Sequence, residues 1–266
     1  MDFTKDEIDD NWSNDTLDIS LDDSLINQIT YDLDNLGFHC IENSVPGELI
    51  NSLSIEVKSC LDKYGHRYFS MINPVLSDNS ALCRLRKNGK FNALLAAVLK
   101  KGGSTELSPP ILNVLRIVSG DNLGNQSLKF HFDASVLTVL IPVIIPENLD
   151  SFKSGDLLLI PNLRKVRSSA LINVIEKMLI QNPVTRKIIS YFLLKKLDSY
   201  TLKLKPGNIY FFWGYRSLHA NLSIDPEYTR ATLLFHIGNP HHNSSIVRLI
   251  FAVRSFLEEK NLKRKD

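Results

Sequence analysis

The sequence predicts a mainly β protein with flanking helices (α+β), its strands forming a closed barrel or two facing sheets. Three observations carry this. From residue 111 to 237, short apolar runs alternate with turn-rich separators. Before residue 105, apolar residues recur at helical spacing. One block, residues 163–198, returns to helical spacing between strands. Many short strands with few helices between them fit a closed or double-sheet structure better than an alternating α/β fold.

Leu25, Ile29, Leu33 and Leu36 predict a helix stopped by Gly37. Gly37 to Ile41 reads as a short strand. A second helix opens at Ser44-Val45-Pro46-Gly47-Glu48 and continues through Leu49, Leu53, Val57 and Leu61, and a third covers Leu94 to Leu99 before Gly102-Gly103. After Pro109-Pro110 the expected strands are Ile111–Val118, Ser127–Phe132, Val136–Val143, Asp156–Ile160, Thr201–Leu204, Ile209–Trp213, Ser217–Ile224 and Ala231–Ile237. Their separators include Ser119-Gly120-Asp121-Asn122, Ser154-Gly155-Asp156 and Pro206-Gly207-Asn208. Within the insertion, Ala170, Leu171, Val174, Ile175, Met178 and Leu179 form one helical series and Ile188, Ile189, Phe192, Leu193 and Leu197 another. Ile246, Leu249, Ile250, Val253 and Phe256, with Arg248, Arg254 and Lys260 opposite, predict a C-terminal helix.

These elements divide the chain into an acidic tail (1–23), a helical N-terminal support (24–105), a β core (108–240) holding the insertion 163–198, and a last helix (244–262). All are expected to form one domain spanning 1–266. Net charge is +2, but residues 1–34 hold eleven acids and one Lys, whereas 163–205 hold ten Lys/Arg and two acids. Cys40, Cys60 and Cys83 are odd in number and lack metal-like spacing, as in a reducing compartment. With no apolar leader and no apolar run of the roughly 20 residues a membrane span needs, a cytoplasmic location is expected.

His131-Phe132-Asp133 lies at the end of a predicted strand, where positions i and i+2 share a face. An imidazole and a carboxylate placed there can ligate one ion. With seven His and 19 Asp in the chain, one such pair by chance is unremarkable. The context adds weight. His219, 88 residues on, sits in another predicted strand, and completes a two-His, one-carboxylate set that leaves positions open on iron(II). Eleven residues after it comes Arg230, then Thr232 on the same face. Arg captures a carboxylate through two hydrogen bonds. An acidic co-substrate chelating the metal at one end needs such an anchor at the other, so the pattern asks for a dicarboxylate; the alternative for Arg230 is an ion-pair residue at the rim.

In order, His131-x-Asp133, Pro206-Gly207-Asn208-Ile209-Tyr210-Phe211, His219 and Arg230-x-Thr232 resemble the 2-oxoglutarate/iron(II) dioxygenase superfamily. The eleven-residue step and the opening Leu36-Gly37-Phe38-His39-Cys40-Ile41 look most like its phytanoyl-CoA hydroxylase-like branch, over roughly residues 30–240. The resemblance implies a double-stranded β-helix (jelly roll, cupin-like) and an oxygenase using Fe(II), 2-oxoglutarate and O2. Iron would be held by His131, Asp133 and His219. The 5-carboxylate of 2-oxoglutarate would meet Arg230 with Thr232 assisting, and Arg116 or Asn113 would approach it. The implied activity couples decarboxylation of 2-oxoglutarate to succinate with hydroxylation of a small molecule, lipid or sugar-like metabolite. Asp133 favours hydroxylation over halogenation, because family halogenases have a small residue there. The insertion 163–198 exceeds what the core requires, and because lids of this kind usually shape the substrate pocket, the sequence leaves that pocket and the role of the insertion open.

Two other functions compete: a catalytically silent binding or regulatory jelly roll, and a cupin-like metalloenzyme that does not use 2-oxoglutarate. The complete set His131, Asp133, His219 and Arg230 argues against the first, and Arg230-x-Thr232 disfavours the second. His236, His241 and His242 read as one sheet residue and two loop residues rather than a second metal site, and His39 and His66 carry no assigned role. Trp213 and Tyr215 read as core or pocket wall, Phe211 and Phe212 as core, and Tyr210 as a residue that could face the cavity. The basic insertion has three readings: a solvated face, a dock for an anionic or lipid-like substrate, and peripheral contact with an anionic membrane. No nucleic acid is expected, for lack of a recognition motif.

Overall fold

The structure is a computed structural model. It describes residues 17–74, 80–103, 112–120, 127–147, 153–167, 169–195 and 200–241, with 244, 249, 252–253, 256–257 and 259–260. Residues 1–16 of the acidic tail, Pro109-Pro110, Asp121-Asn122, His242 and most of the expected C-terminal helix, Ile246, Arg248, Ile250 and Arg254 included, lie outside the described residues.

The N-terminal half is built by α1 (Asp23–Asn35), β1 (Phe38–Ile41), α2 (Gly47–Tyr64), β2 (Phe69–Ile72), α3 (Ala81–Lys87) and α4 (Gly89–Lys101). Asp22 caps α1 by accepting from the Leu25 amide at 2.7 Å. Gly37 ends the turn after it with φ +91°, and Pro161 packs where a Cβ would stand. Helix α4 starts earlier than its apolar run suggests, because Asn88 accepts from the Phe91 amide at 2.9 Å and so supplies an N-cap. Sequence patterning missed β2 and α3. The first is four residues, buried nearly throughout and too short to establish an alternation, and the second is seven residues, too short to display a period.

The remaining strands are β3 (Leu112–Val118), β4 (Leu137–Ile144), β5 (Leu157–Ile160), β6 (Thr201–Leu202), β7 (Ile209–Phe212), β8 (Leu218–Asn221) and β9 (Arg230–Ile237). They form two antiparallel sheets, a larger one in the order β1-β7-β4-β9-β3-β2 and a smaller one, β6-β5-β8. The sheets face each other as a jelly roll, with Val114, Leu140, Tyr210, Phe212 and Leu234 of the larger sheet meeting Leu157 and Leu159 of the smaller. Alternation along each strand sends the other set, such as Leu115, Ile117, Leu233, Phe235 and Phe211, to the outer face, where α1, α2 and α4 cover it. Burying each such side chain contributes roughly 1.5–3 kcal/mol.

Two expected strands are corrected. Ser127–Phe132 is not a strand; its one β-bridge to the smaller sheet is His131 to His219, with one further bond from the Leu128 amide to the Asn221 carbonyl at 2.9 Å. Leu128 has φ +54°, and the Phe130 amide turns back to the Leu128 carbonyl, so the segment cannot extend. The strand expected over Ser217–Ile224 is limited to Leu218–Asn221, with Ile224 making only an isolated bridge to Ser154.

The insertion forms α5 (Ala170–Gln181) and α6 (Pro183–Leu194), with Asn182 between them capping α6. Ile180, Ile189 and Leu193 pack on Phe130, Phe132, Leu158 and Leu218, the outer face of the smaller sheet. The pair therefore backs the sheet, and none of its described residues lines the central cavity.

Candidate metal centre

His131 and His219 are directly opposed. Each donates its amide to the other's carbonyl, at 3.0 and 3.1 Å. Directly opposite residues of an antiparallel pair project to the same face. One bridge thus does what a full strand was expected to do. Asp133 follows two residues later, its amide donating to the Gly214 carbonyl at 3.0 Å. One ligand atom from each of His131, Asp133 and His219 lies within 4.8 Å of the others. His131 Nε2 is 3.7 Å from Asp133 Oδ1, and His219 Nε2 is 3.5 Å from Asp133 Oδ2. Neighbouring ligands on an octahedral ion with bonds near 2.1 Å are about 3 Å apart, so a small inward shift would satisfy a cation.

Both imidazoles are held in the tautomer a metal requires. His131 Nδ1 donates to the Lys129 carbonyl at 2.8 Å, and His219 Nδ1 donates to the Ser217 carbonyl at 3.0 Å. A carbonyl can only accept, so each Nδ1 carries a proton and each Nε2 is the atom turned toward Asp133 and offered to a metal. Burial, then the neighbouring His219, brings the His131 pKa down to about 3, so it is neutral at ordinary pH. Burial would raise the Asp133 carboxyl, yet His219, His236 and His131 around it hold it well below the usual carboxylate range. The carboxylate is therefore ionised, beside a neutral His131.

Asp133 has a support that the sequence reading did not assign. The Thr138 hydroxyl donates to Asp133 Oδ2 at 2.5 Å. With its proton committed there, Thr138 Oγ1 accepts from His236 Nδ1 at 3.1 Å. His236 is a sheet residue, as expected, but it also lines the cavity. Gly214 completes the support, because a Cβ on it would collide with Thr138 Oγ1 and Asp133 Oδ2. The signal for His236 was available in the sequence: it lies at an even step from Arg230 in the same strand. Of the other weighed residues, His241 accepts from or donates to the Tyr215 hydroxyl at 3.1 Å, away from the centre.

Along β9, Arg230, Thr232, Leu234 and His236 all project into the cavity. Arg230 is 1% exposed. Its Nη2 donates to Asn221 Oδ1 at 2.9 Å, while Nε and Nη1 are buried without a hydrogen-bond partner. Burial, then the nearby Arg116 cation, pulls its pKa down to about 9, with Asp156 acting the other way. Asn221 lies two residues after His219, the next inward position of β8, about 7 Å along the strand. A cation-binding cluster and a guanidinium with two free donors thus stand one inward step apart. Leu140, Leu157, Phe212 and Leu234 supply apolar walls.

Arg116 faces the same cavity, opposite Thr232 in the β3–β9 register. Asn113 does not, because its odd step from Arg116 turns it to the helix-covered face beside Leu115 and Ile117. Tyr210 projects between the sheets but not into the site. Its hydroxyl donates to the Lys203 carbonyl at 3.0 Å and accepts from the Lys205 amide at 2.9 Å. A second pocket adjoins the first and shares Arg116, His131, Asp133 and His236. Its remaining walls come from β2, β3 and the loop after Asp133, through Ser70, Ile72, Val114 and Ser135.

No protein-family model matches the sequence, and no curated protein matches it. Solved structures do resemble the fold. A prolyl 4-hydroxylase from Phytophthora capsici aligns at 14% identity and TM-score 0.55, over 93% of this chain and 78% of that one. SnoK, a non-haem α-ketoglutarate-dependent carbocyclase from nogalamycin biosynthesis, aligns at 10% and 0.52, over 88% and 93%. HygX from Streptomyces hygroscopicus, with iron bound, aligns at 12% and 0.52, over 79% and 85%. At such identities the likeness is one of fold.

Proposed function

We propose that this chain is an iron(II)- and 2-oxoglutarate-dependent oxygenase that hydroxylates a small organic substrate. One observation carries the reading: two buried guanidinium donors of Arg230 lack partners in the cavity that also gathers His131, Asp133 and His219. An unsatisfied buried cation is costly unless a ligand completes it. A dicarboxylate that reaches from the metal to Arg230 satisfies both ends.

In this reading His131, Asp133 and His219 hold the iron, Arg230 receives the distal carboxylate, and Thr232 offers it a hydroxyl. Bound iron, with 2-oxoglutarate and O2, supplies oxidation of a C–H bond coupled to release of succinate and carbon dioxide. The chain's own residues do the rest. Lys129 and Ser217 orient the imidazoles, Thr138 fixes Asp133, and Leu140, Leu157, Phe212 and Leu234 exclude water. The adjoining pocket by Ser70, Val114 and Ser135 would take the substrate, a small molecule, lipid or sugar-like metabolite. The involvement of SnoK in nogalamycin biosynthesis supports a small molecule. Retention of Asp133 supports hydroxylation over halogenation. The eleven-residue step from His219 to Arg230, and β1 leading into α2, support the phytanoyl-CoA hydroxylase-like branch. Three free cysteines support a cytoplasmic setting, and no helix among the described residues is long and apolar enough to cross a membrane.

The test is anaerobic titration of the protein with iron(II) and then 2-oxoglutarate. The weak visible charge-transfer band of the chelate should appear and saturate. If folded protein binds iron without ever developing the band, the co-substrate assignment fails. Gly214→Ala provides a second test. The added methyl displaces Asp133 and Thr138, so iron affinity should fall by roughly 10- to 100-fold with the fold intact by near-ultraviolet circular dichroism. Unchanged affinity would mean Asp133 needs no such support.

A further inference from the structure

We propose that α5 and α6 form a docking surface for an anionic lipid bilayer. The two helices are apolar on opposite sides. One side rests on the smaller sheet through Ile180, Ile189 and Leu193. On α5 the opposite side presents Leu171, Ile172, Ile175, Met178 and Leu179, all large and exposed, with Met178 at 70%. At 3.6 residues per turn these five fall within an arc of about 120°. Val184, Ile188, Tyr191 and Phe192 do the same on α6. A helix that is apolar on two faces belongs between two apolar environments, and among the described residues the second face is left uncovered.

Charge selects the occupant. Residues 163–195 contain seven Lys/Arg and one acid, Glu176. That acid is consumed by Arg164 at 2.9 Å and Arg167 at 2.5 Å. Lys187 is exposed one turn before Tyr191 on α6, Lys165 is exposed in the loop that leads into α5, and Lys195 lies over the Tyr191 ring at 4.2 Å. A second copy of this chain would bring two positive surfaces together, which opposes association. An anionic bilayer complements both features, with phosphate headgroups against the lysines and acyl chains against the apolar stripe. Tyr191 and Phe192, adjacent and edge-on at 5.5 Å, suit the boundary between the two zones. The proposal is independent of the oxygenase reading, because α5 and α6 back the sheet and do not line the cavity.

Co-sedimentation of the full chain with vesicles tests it. One set is phosphatidylcholine alone and the other phosphatidylcholine with phosphatidylserine. The protein should pellet with the second set, much less with the first, and less at high salt. The variant Ile175→Glu/Met178→Glu/Phe192→Glu should stay in the supernatant, and Lys165→Ala/Lys187→Ala should partition less by roughly fivefold per cation removed. All five positions are surface positions, and melting temperature checks that both variants fold. Failure to pellet with either vesicle, or pelleting that neither variant alters, overturns the proposal. A concentration-dependent dimer in sedimentation velocity, abolished by the triple variant, assigns the surface to a second copy instead.

Discussion

Arg230→Ala is expected to weaken 2-oxoglutarate binding by roughly a hundredfold or more while leaving iron(II) affinity nearly unchanged. Arg230 is buried at one end of β9 with two donors unpartnered and a third on Asn221. Removing one partner of a buried, hydrogen-bonded charge pair costs about 2–5 kcal/mol, or roughly 30- to 5,000-fold in affinity. Arg230 touches none of the three candidate ligands, so the iron term should not move. Titrating iron first and 2-oxoglutarate second, both anaerobically, separates the two. Arg230→Lys should recover only part of the loss, because an ammonium keeps the charge but not the planar two-point fork. The unliganded variant should melt no lower than the parent, since a buried guanidinium with unmet donors stabilises little. A matched loss of iron and 2-oxoglutarate, with a lower melting temperature, would make Arg230 a structural residue and remove the main support for the dicarboxylate.

The second large effect is expected at Asp133. In Asp133→Ala the iron-dependent rise in melting temperature should disappear. A ligand present at 100 times its dissociation constant stabilises the folded state by about 2.7 kcal/mol. For a chain of this size that amounts to roughly 5–10 °C. The carboxylate is the sole anion among the three gathered ligands, and without it two neutral imidazoles must hold a divalent ion alone. The metal-free variant should itself melt below the parent, because Thr138 and the imidazoles more than offset the burial of this carboxylate, so the readout is the iron-dependent shift within each protein. Differential scanning with and without iron(II), for parent and variant, gives the four curves needed. A variant that still shifts with iron would place the metal elsewhere.

Local pattern revealed much of this architecture. Helix α1 declared itself through Ile29, Leu33 and the stop at Gly37, and the two-residue period of β9 put Arg230 and Thr232 on one face before any fold was known. Burial periodicity is a local consequence of helix and strand geometry, so it survives in the sequence. The missed elements lack such a period. Phe69–Ile72 is covered nearly throughout, and Ala81–Lys87 ends before a second turn is complete.

The candidate site divides the same way. Its residue types and spacing, His131-x-Asp133, His219 and Arg230-x-Thr232, were legible because metal and carboxylate chemistry restrict which side chains can serve. Their convergence was not. It depends on one bridge between His131 and His219, made by a segment that Leu128 keeps from being a strand. Hydrogen bonds between residues distant in sequence leave no periodic trace. For the same reason Gly214, Thr138 and His236 around Asp133, and the unmet donors of Arg230, emerged only once the two sheets were folded face to face. Sequence pattern named the chemical groups, and sheet packing gathered them around one cavity.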